Sequence, residues 1–181
     1  MRHLLALLVL ILPALAGCGD PAASGEPPEI DYGRDICVEC GMIISDDRFA
    51  AAYRLSDGTE KAFDDLGGLL THGREAGELS EAAVWVSDFD EKELIDAAAA
   101  HFVPTLGAES PMGYGILAFS DHDRAMRAAA DLGGEVIGWG ALLELPLDRP
   151  AAGSGMDMGS GDGMEDADDD AEGHDHAGDD G

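Results

Sequence analysis

Basic residues are scarce in this chain of 181 residues. Ten lysines and arginines stand against 38 aspartates and glutamates, a formal net charge of −28. Nucleic-acid phosphate repels so acidic a chain, which excludes nucleic acid as a partner. Cysteine is also rare, with three in all. No second Cys-x-x-Cys accompanies Cys37 and Cys40, so a zinc site built from two such pairs lacks half its ligands. Long hydrophobic runs are missing too. The most apolar stretch, residues 4–16, is too short to cross a bilayer comfortably.

That stretch instead follows Arg2 and His3, a charged head before an apolar run, as in a secretory signal. It ends in Leu-Ala-Gly-Cys, residues 15–18, which resembles the lipobox of bacterial lipoproteins. Residues 1–17 are therefore expected to be a lipoprotein signal peptide, with Cys18 as the lipidated first residue of the mature chain. Lipid on Cys18 predicts a protein tethered to the periplasmic or other extracytoplasmic face of a bacterial membrane. Residues 18–30 are small, polar and rich in proline, and read as a flexible tether. At the other end, residues 151–181 are dense in Asp and Gly and lack apolar periodicity. Such a segment buries too little surface to offset its ordering entropy, so a disordered acidic tail is expected.

Residues 31–150 remain as the folded unit, and a weak internal repeat divides them near residue 90. In 31–90, residues 48–55 and 59–63 read as strands around an Asp57-Gly58 turn. Asp64 or Asp65 then caps a helix bearing Leu66, Leu69 and Leu70, and 82–89 reads as a further strand. In 91–150 the order recurs. Strands are expected at 100–104 and 113–120, then a helix with Ser120 and Asp123 as a capping box, stopped by Gly133-Gly134. Residues 135–143 read as the last strand, while 90–99 has the composition of a helix. The pattern predicts an α+β fold of two pseudo-repeated ββαβ halves.

The chemistry sits in "CVECGM", residues 37–42, where two thiols and a thioether crowd together. Zinc would need two of His72, His101 and His122, none at the usual spacing. A disulfide or a redox pair suits an oxidising compartment, but "GMIISDD" does not read as the helix that lowers a redox cysteine's pKa. Cu(I) is soft and prefers thiolate and thioether sulfur. Gly41 lets Cys40 and Met42 converge on one ion. Met112 stands on a turn, "SPMGYG", where core filling is not the obvious reason for a methionine. Equivalent loops of the two halves would bring it towards the first motif. "FDD", residues 63–65, reads as helix capping rather than as an acid–base pair.

These residues together resemble the NosL family of lipoprotein copper chaperones. The resemblance rests on "CxxCGM", "DG…FDD" (57–65), "PMGYGILAF" (111–119) and "GGEVIGW" (133–139), and spans residues 31–145. It implies a pair of ββαβ halves that binds one Cu(I) and delivers it for maturation of nitrous oxide reductase, with an ABC-type membrane complex as a further partner. Cys40 and Met42 match the first motif's ligands and Met112 the second's. A nitrogen ligand, used by some members, has His122 and His101 as local candidates. Cys37 matches the remaining motif cysteine, which ligates, tunes Cys40 or pairs with it when copper is absent. A carrier needs no nucleophile or proton transfer, so no enzyme activity is expected. The alternative is a periplasmic thiol–disulfide oxidoreductase using Cys37 and Cys40. In the tail, Met156, Met158 and Met164 with His174 and His176 offer a secondary metal-collecting arm.

Overall fold

A computed structural model describes residues 25–147. The signal peptide, Cys18, most of the tether and the acidic tail lie outside the described residues. The chain folds as a mixed α/β protein with antiparallel sheets. Strand β1 (Ala51–Arg54) turns through Asp57 and Gly58 into β2 (Glu60–Phe63). Gly58 takes φ +88°, a conformation that favours glycine, and the Asp57 carboxylate accepts the Thr59 N–H at 2.8 Å. Helix α1 (Leu66–Ala76) follows, capped by Asp65 and closed by Gly77 in the left-handed conformation. Strand β3 (Ala83–Ser87) pairs antiparallel with the far side of β1, and β4 (Leu94–Asp96) with β3. The sheet order is β2-β1-β3-β4. Its interior strand β1 carries Ala51, Ala52 and Tyr53, all buried.

A second antiparallel pair joins β5 (His101–Pro104) to β6 (Ile116–Phe119), and α2 (His122–Leu132) covers it. Val103, Leu117 and Phe119 pack there against Ala125 and Ala129 of α2. Each of the three larger side chains contributes roughly 1.5–3 kcal/mol of transfer free energy when fully buried.

Three expectations are corrected. Residues 135–143 do not form a strand. Ile137 makes a single bridge to Phe102, and the chain then enters α3 (Trp139–Glu144). Gly138 ends the extended run, and Trp139 and Leu142, three residues apart, turn one helical face into the core. The second half thus closes on one bridge and a short helix. Residues 90–99 are not helical either. They form a turn, β4 and one 3-10 turn. Pairing with β3 and the Asp96 carboxylate, which accepts the Ala98 N–H at 2.9 Å, override composition there. The α2 cap is Asp121 rather than Ser120, with its carboxylate on the Arg124 N–H at 2.9 Å. Ser120 donates its N–H to Asp88 instead.

Asp88 is fully buried where the two sheets meet. It accepts from the Ser120 N–H and from both terminal nitrogens of Arg124, and its own Asp90 and Glu91 turn supplies two more N–H groups. The next residue, Phe89, donates its N–H to Ala118 of β6 at 2.8 Å. Burial pushes the Asp88 carboxyl up, but the Ser120 N–H, the Arg124 guanidinium and the Glu91 N–H outweigh it and hold its pKa down at about 2. A depressed carboxylate adds stability above its ordinary pKa of 3.8, and that stability is lost as pH falls towards 2. Asp88→Asn should therefore cost about 2 kcal/mol at neutral pH and flatten the acid limb between about pH 4 and 2. Urea unfolding of wild type and variant across that range checks both.

Candidate metal centre

The first sulfur loop is a small closed turn. Ile36 and Ile43 bridge across its neck, the Cys37 N–H donates to the Met42 carbonyl at 2.8 Å, and the Gly41 N–H to the Cys37 carbonyl at 2.9 Å. Gly41 sits at φ +74°, where a side chain would be strained. The Val38 N–H, bonded to Ala62 at 3.0 Å, fastens the turn to β2. Where β2 ends, the buried Asp64 faces this turn. Cys40 donates its S–H to Asp64 Oδ2 at 3.4 Å. One ligand atom from each of Cys37, Cys40 and Asp64 lies within 4.8 Å of the others, close enough to hold a metal ion between them.

Two features make this cradle more than packing. Asp64 Oδ1 is buried and has no hydrogen-bond partner among the described residues. An unpartnered buried carboxylate oxygen is costly, and a bound cation would satisfy it. Both cysteines are free thiols. Burial, only partly offset by the Cys40 and Asp64 backbone N–H groups, pushes the Cys37 thiol up to about 12, with the Asp64 carboxylate and the Cys40 side chain adding to the rise.

The second sulfur loop is held against the first through Asp65. As the α1 cap, Asp65 accepts the Gly67 N–H at 2.8 Å through Oδ1. Through Oδ2 it accepts the Ser110 hydroxyl and the Met112 N–H, the latter at 3.0 Å. Burial raises the Asp65 pKa despite these donors. The loop then lies directly on the first turn of α1. A Cβ on Gly67 would meet the Tyr114 ring at 2.0 Å, and one on Gly68 would meet the Met112 sulfur at 2.7 Å and the Glu39 Cβ at 3.8 Å. The Met112 thioether thus shares its seat on α1 with Glu39, which stands between the two cysteines in sequence. Tyr114 completes the clamp, its hydroxyl 3.1 Å from the Thr71 hydroxyl.

The other sequence candidates fall in different places. Met42 is half exposed at the rim of the turn, beside the similarly exposed Ile36, Val38 and Ile43. His101 and His122 pair with each other, ring centroids 5.0 Å apart. The Met112 loop leaves the β5–β6 hairpin at its Pro104–Ile116 end, whereas His101 pairs with Phe119 at the opposite end, about 10 Å along the strands. Cys18, Met156, Met158, Met164, His174 and His176 lie outside the described residues. His72 is the histidine beside the first loop. Its Nε2 lies 3.3 Å from Lys61 Nζ and its Nδ1 3.3 Å from Glu39 Oε2. Lysine can only donate, so Nε2 accepts and Nδ1–H donates to Glu39. Asp64 is the residue that sequence reasoning missed. Consecutive residues at a strand end face opposite sides, so two adjacent carboxylates after β2 cannot both cap α1. That alternation was the available signal.

The NosL family model matches residues 30–144, from before the first loop to the end of α3. The chain belongs to the NosL family. Among solved structures, the crystal structure of the copper chaperone NosL from Shewanella denitrificans matches with a TM-score of 0.56 at 21% identity. The match covers 64% of this chain and 93% of that one, a likeness of fold. No curated protein sequence matches the chain. Both sulfur loops of this NosL-family chain, with Asp64 and Asp65 between them, fall inside the matched region.

The two glycines of α1 give a selective test of the clamp. In Gly68→Ala the new methyl meets the far end of a flexible side chain, so the fold should persist while the Met112 thioether moves. In Gly67→Ala it meets the root of the Tyr114 ring, and stability should fall by about 1–3 kcal/mol. Thermal unfolding of both variants, with the NMR shift of the Met112 methyl, checks the contrast.

Proposed function

We propose that this protein is a membrane-tethered Cu(I) chaperone that delivers copper for the maturation of nitrous oxide reductase. The observation that carries the copper part is the cradle of Cys37, Cys40 and Asp64, with its unpartnered carboxylate oxygen, beside a thioether loop pinned through Asp65. Soft sulfur selects Cu(I) over harder cations. Cys40, Met42 and Met112 are the proposed sulfur ligands, with Cys37 and Asp64 within reach of the same ion. His101 and His122, paired elsewhere, are left out of this ligand set. Loading displaces thiol protons, because thiolate rather than thiol is the ligand. Asp64, already accepting the Cys40 S–H, is the nearest acceptor. The half-exposed Met42 lets a partner's ligand approach from solvent, so copper can pass by stepwise exchange.

Membership of the NosL family supports the destination. The reductase and an ABC-type membrane complex are the proposed partners, and lipid on Cys18 the proposed anchor on the extracytoplasmic side. The tail, with Met156, Met158, Met164, His174 and His176, is proposed as a collecting arm. The oxidoreductase alternative gains nothing from the buried Cys37. Attack on a disulfide needs a thiolate, and burial holds Cys37 protonated up to about 12.

Anaerobic competition with a Cu(I) chelator tests the reading. The mature protein should take up Cu(I) at the sulfur site, and Cys40→Ser and Met112→Ala should each weaken it at least tenfold, about 1.4 kcal/mol. Unchanged affinity in both variants overturns the ligand set. Removing residues 151–181 should lower the total Cu(I) bound while leaving the sulfur-site affinity in place. An unchanged total ends the collecting arm.

A further inference from the structure

We propose that His101 and His122 form a second cation site, separate from the sulfur centre, for a divalent transition ion of the Cu(II) or Zn(II) class. The two rings come from different elements, His101 opening β5 and His122 opening α2. The fold fixes both starting points. His101 is paired across the hairpin with Phe119, three residues before His122, and the Asp121 cap on the Arg124 N–H sets where α2 begins. The centroids stand 5.0 Å apart with the rings at 82°.

What separates this pair from His72 is the state of the ring nitrogens. Both nitrogens of His72 are engaged, by Lys61 and by Glu39. Among the described residues no hydrogen bond engages the ring nitrogens of His101 or His122, and the Asp123 carboxylate lies 4.0 Å from His122 Nδ1. His122 is 58% exposed at its side chain and Asp123 86%, so both are free to turn at the surface; the two imidazoles and this carboxylate do not already gather within 4.8 Å of one another, and a bound ion would draw them together. Imidazole with carboxylate suits borderline divalent ions, not the soft Cu(I) of the sulfur loops. The remaining coordination positions would be filled by water, and the net charge of −28 raises the local cation concentration. An ion held there would tie the start of α2 to β5, so binding would stabilise the fold as any ligand of the native state does. The inference stands on this geometry alone and does not depend on the copper-delivery reading.

The test is Zn(II) titration of the full mature chain, anaerobic and loaded beforehand with Cu(I) to occupy the sulfur site. Imidazole 15N resonances of His101 and His122, assigned by single substitution, report on this site apart from the tail histidines. They should move together along one saturable curve, and thermal unfolding should shift upward. In His101→Ala the midpoint read at His122 should rise at least tenfold, and the thermal shift should shrink. His122→Ala, at an exposed position where folding is not at stake, should do the same to His101. Two histidines moving on independent curves, or no movement at either, overturns the site.

Discussion

The Asp65 carboxylate accepts hydrogen bonds from three places at once: the first turn of α1, the Ser110 hydroxyl and the backbone of Met112. A helix cap alone is worth about 1 kcal/mol. Here the same group also decides where a distant loop lies, 47 residues further along the chain. Because β2 leads straight into this cap, the preceding residue, Asp64, is carried to the thiol turn. One strand-to-helix junction therefore sets the relative position of both sulfur loops. Glycine at 67 and 68 is the matching constraint on the helix side, since a side chain at 67 would collide with the root of the Tyr114 ring and one at 68 would displace the Met112 thioether.

The two adjacent carboxylates have opposite circumstances. Asp65 has its donors and is satisfied by protein. Asp64 accepts a weak thiol hydrogen bond from Cys40, and its other, buried oxygen has no partner among the described residues. A protein that stored metal permanently would be expected to close such a site with a full set of fixed ligands. In the proposed copper site one side would be the buried Cys37 thiol and Asp64 carboxylate, and the other the thioether of the half-exposed Met42. Such an arrangement is suited to uptake and release, because ligands on the open side can be replaced one at a time. Exposed apolar residues, Ile36, Val38 and Ile43, stand around that rim, where the proposed exchange with a partner would take place.

Much of the first half was legible in the sequence, for physical reasons. Asp57-Gly58 between two apolar runs has few alternatives to a hairpin, and the leucines of α1 leave one helical face. The end of the chain was less legible because Val136 and Ile137 favour strand while Trp139 and Leu142 are spaced for a helix, and only tertiary contact with Phe102 decides between them. Residues 90–99 misled for a similar reason, since pairing with β3 outweighs a run of alanines. At the site, the thiol motif and the odd setting of Met112 could be read directly. Asp64 could not, because capping is the commoner use of an acid before a helix, and only the fold shows which of two neighbours takes it. His101 and His122 were candidates for a nitrogen ligand through the family resemblance, and hairpin register places them at the end of β5 and β6 away from the Met112 loop.

The central claim is that sulfur from two loops, joined through one strand-to-helix junction, surrounds a single cuprous ion. X-ray absorption at the copper edge, on protein holding one equivalent of Cu(I) without oxygen, addresses it most directly. The account predicts a nearest shell dominated by sulfur, with one sulfur fewer in Met112→Ala. A shell of nitrogen and oxygen only, or a sulfur count that Met112→Ala leaves unchanged, would contradict it.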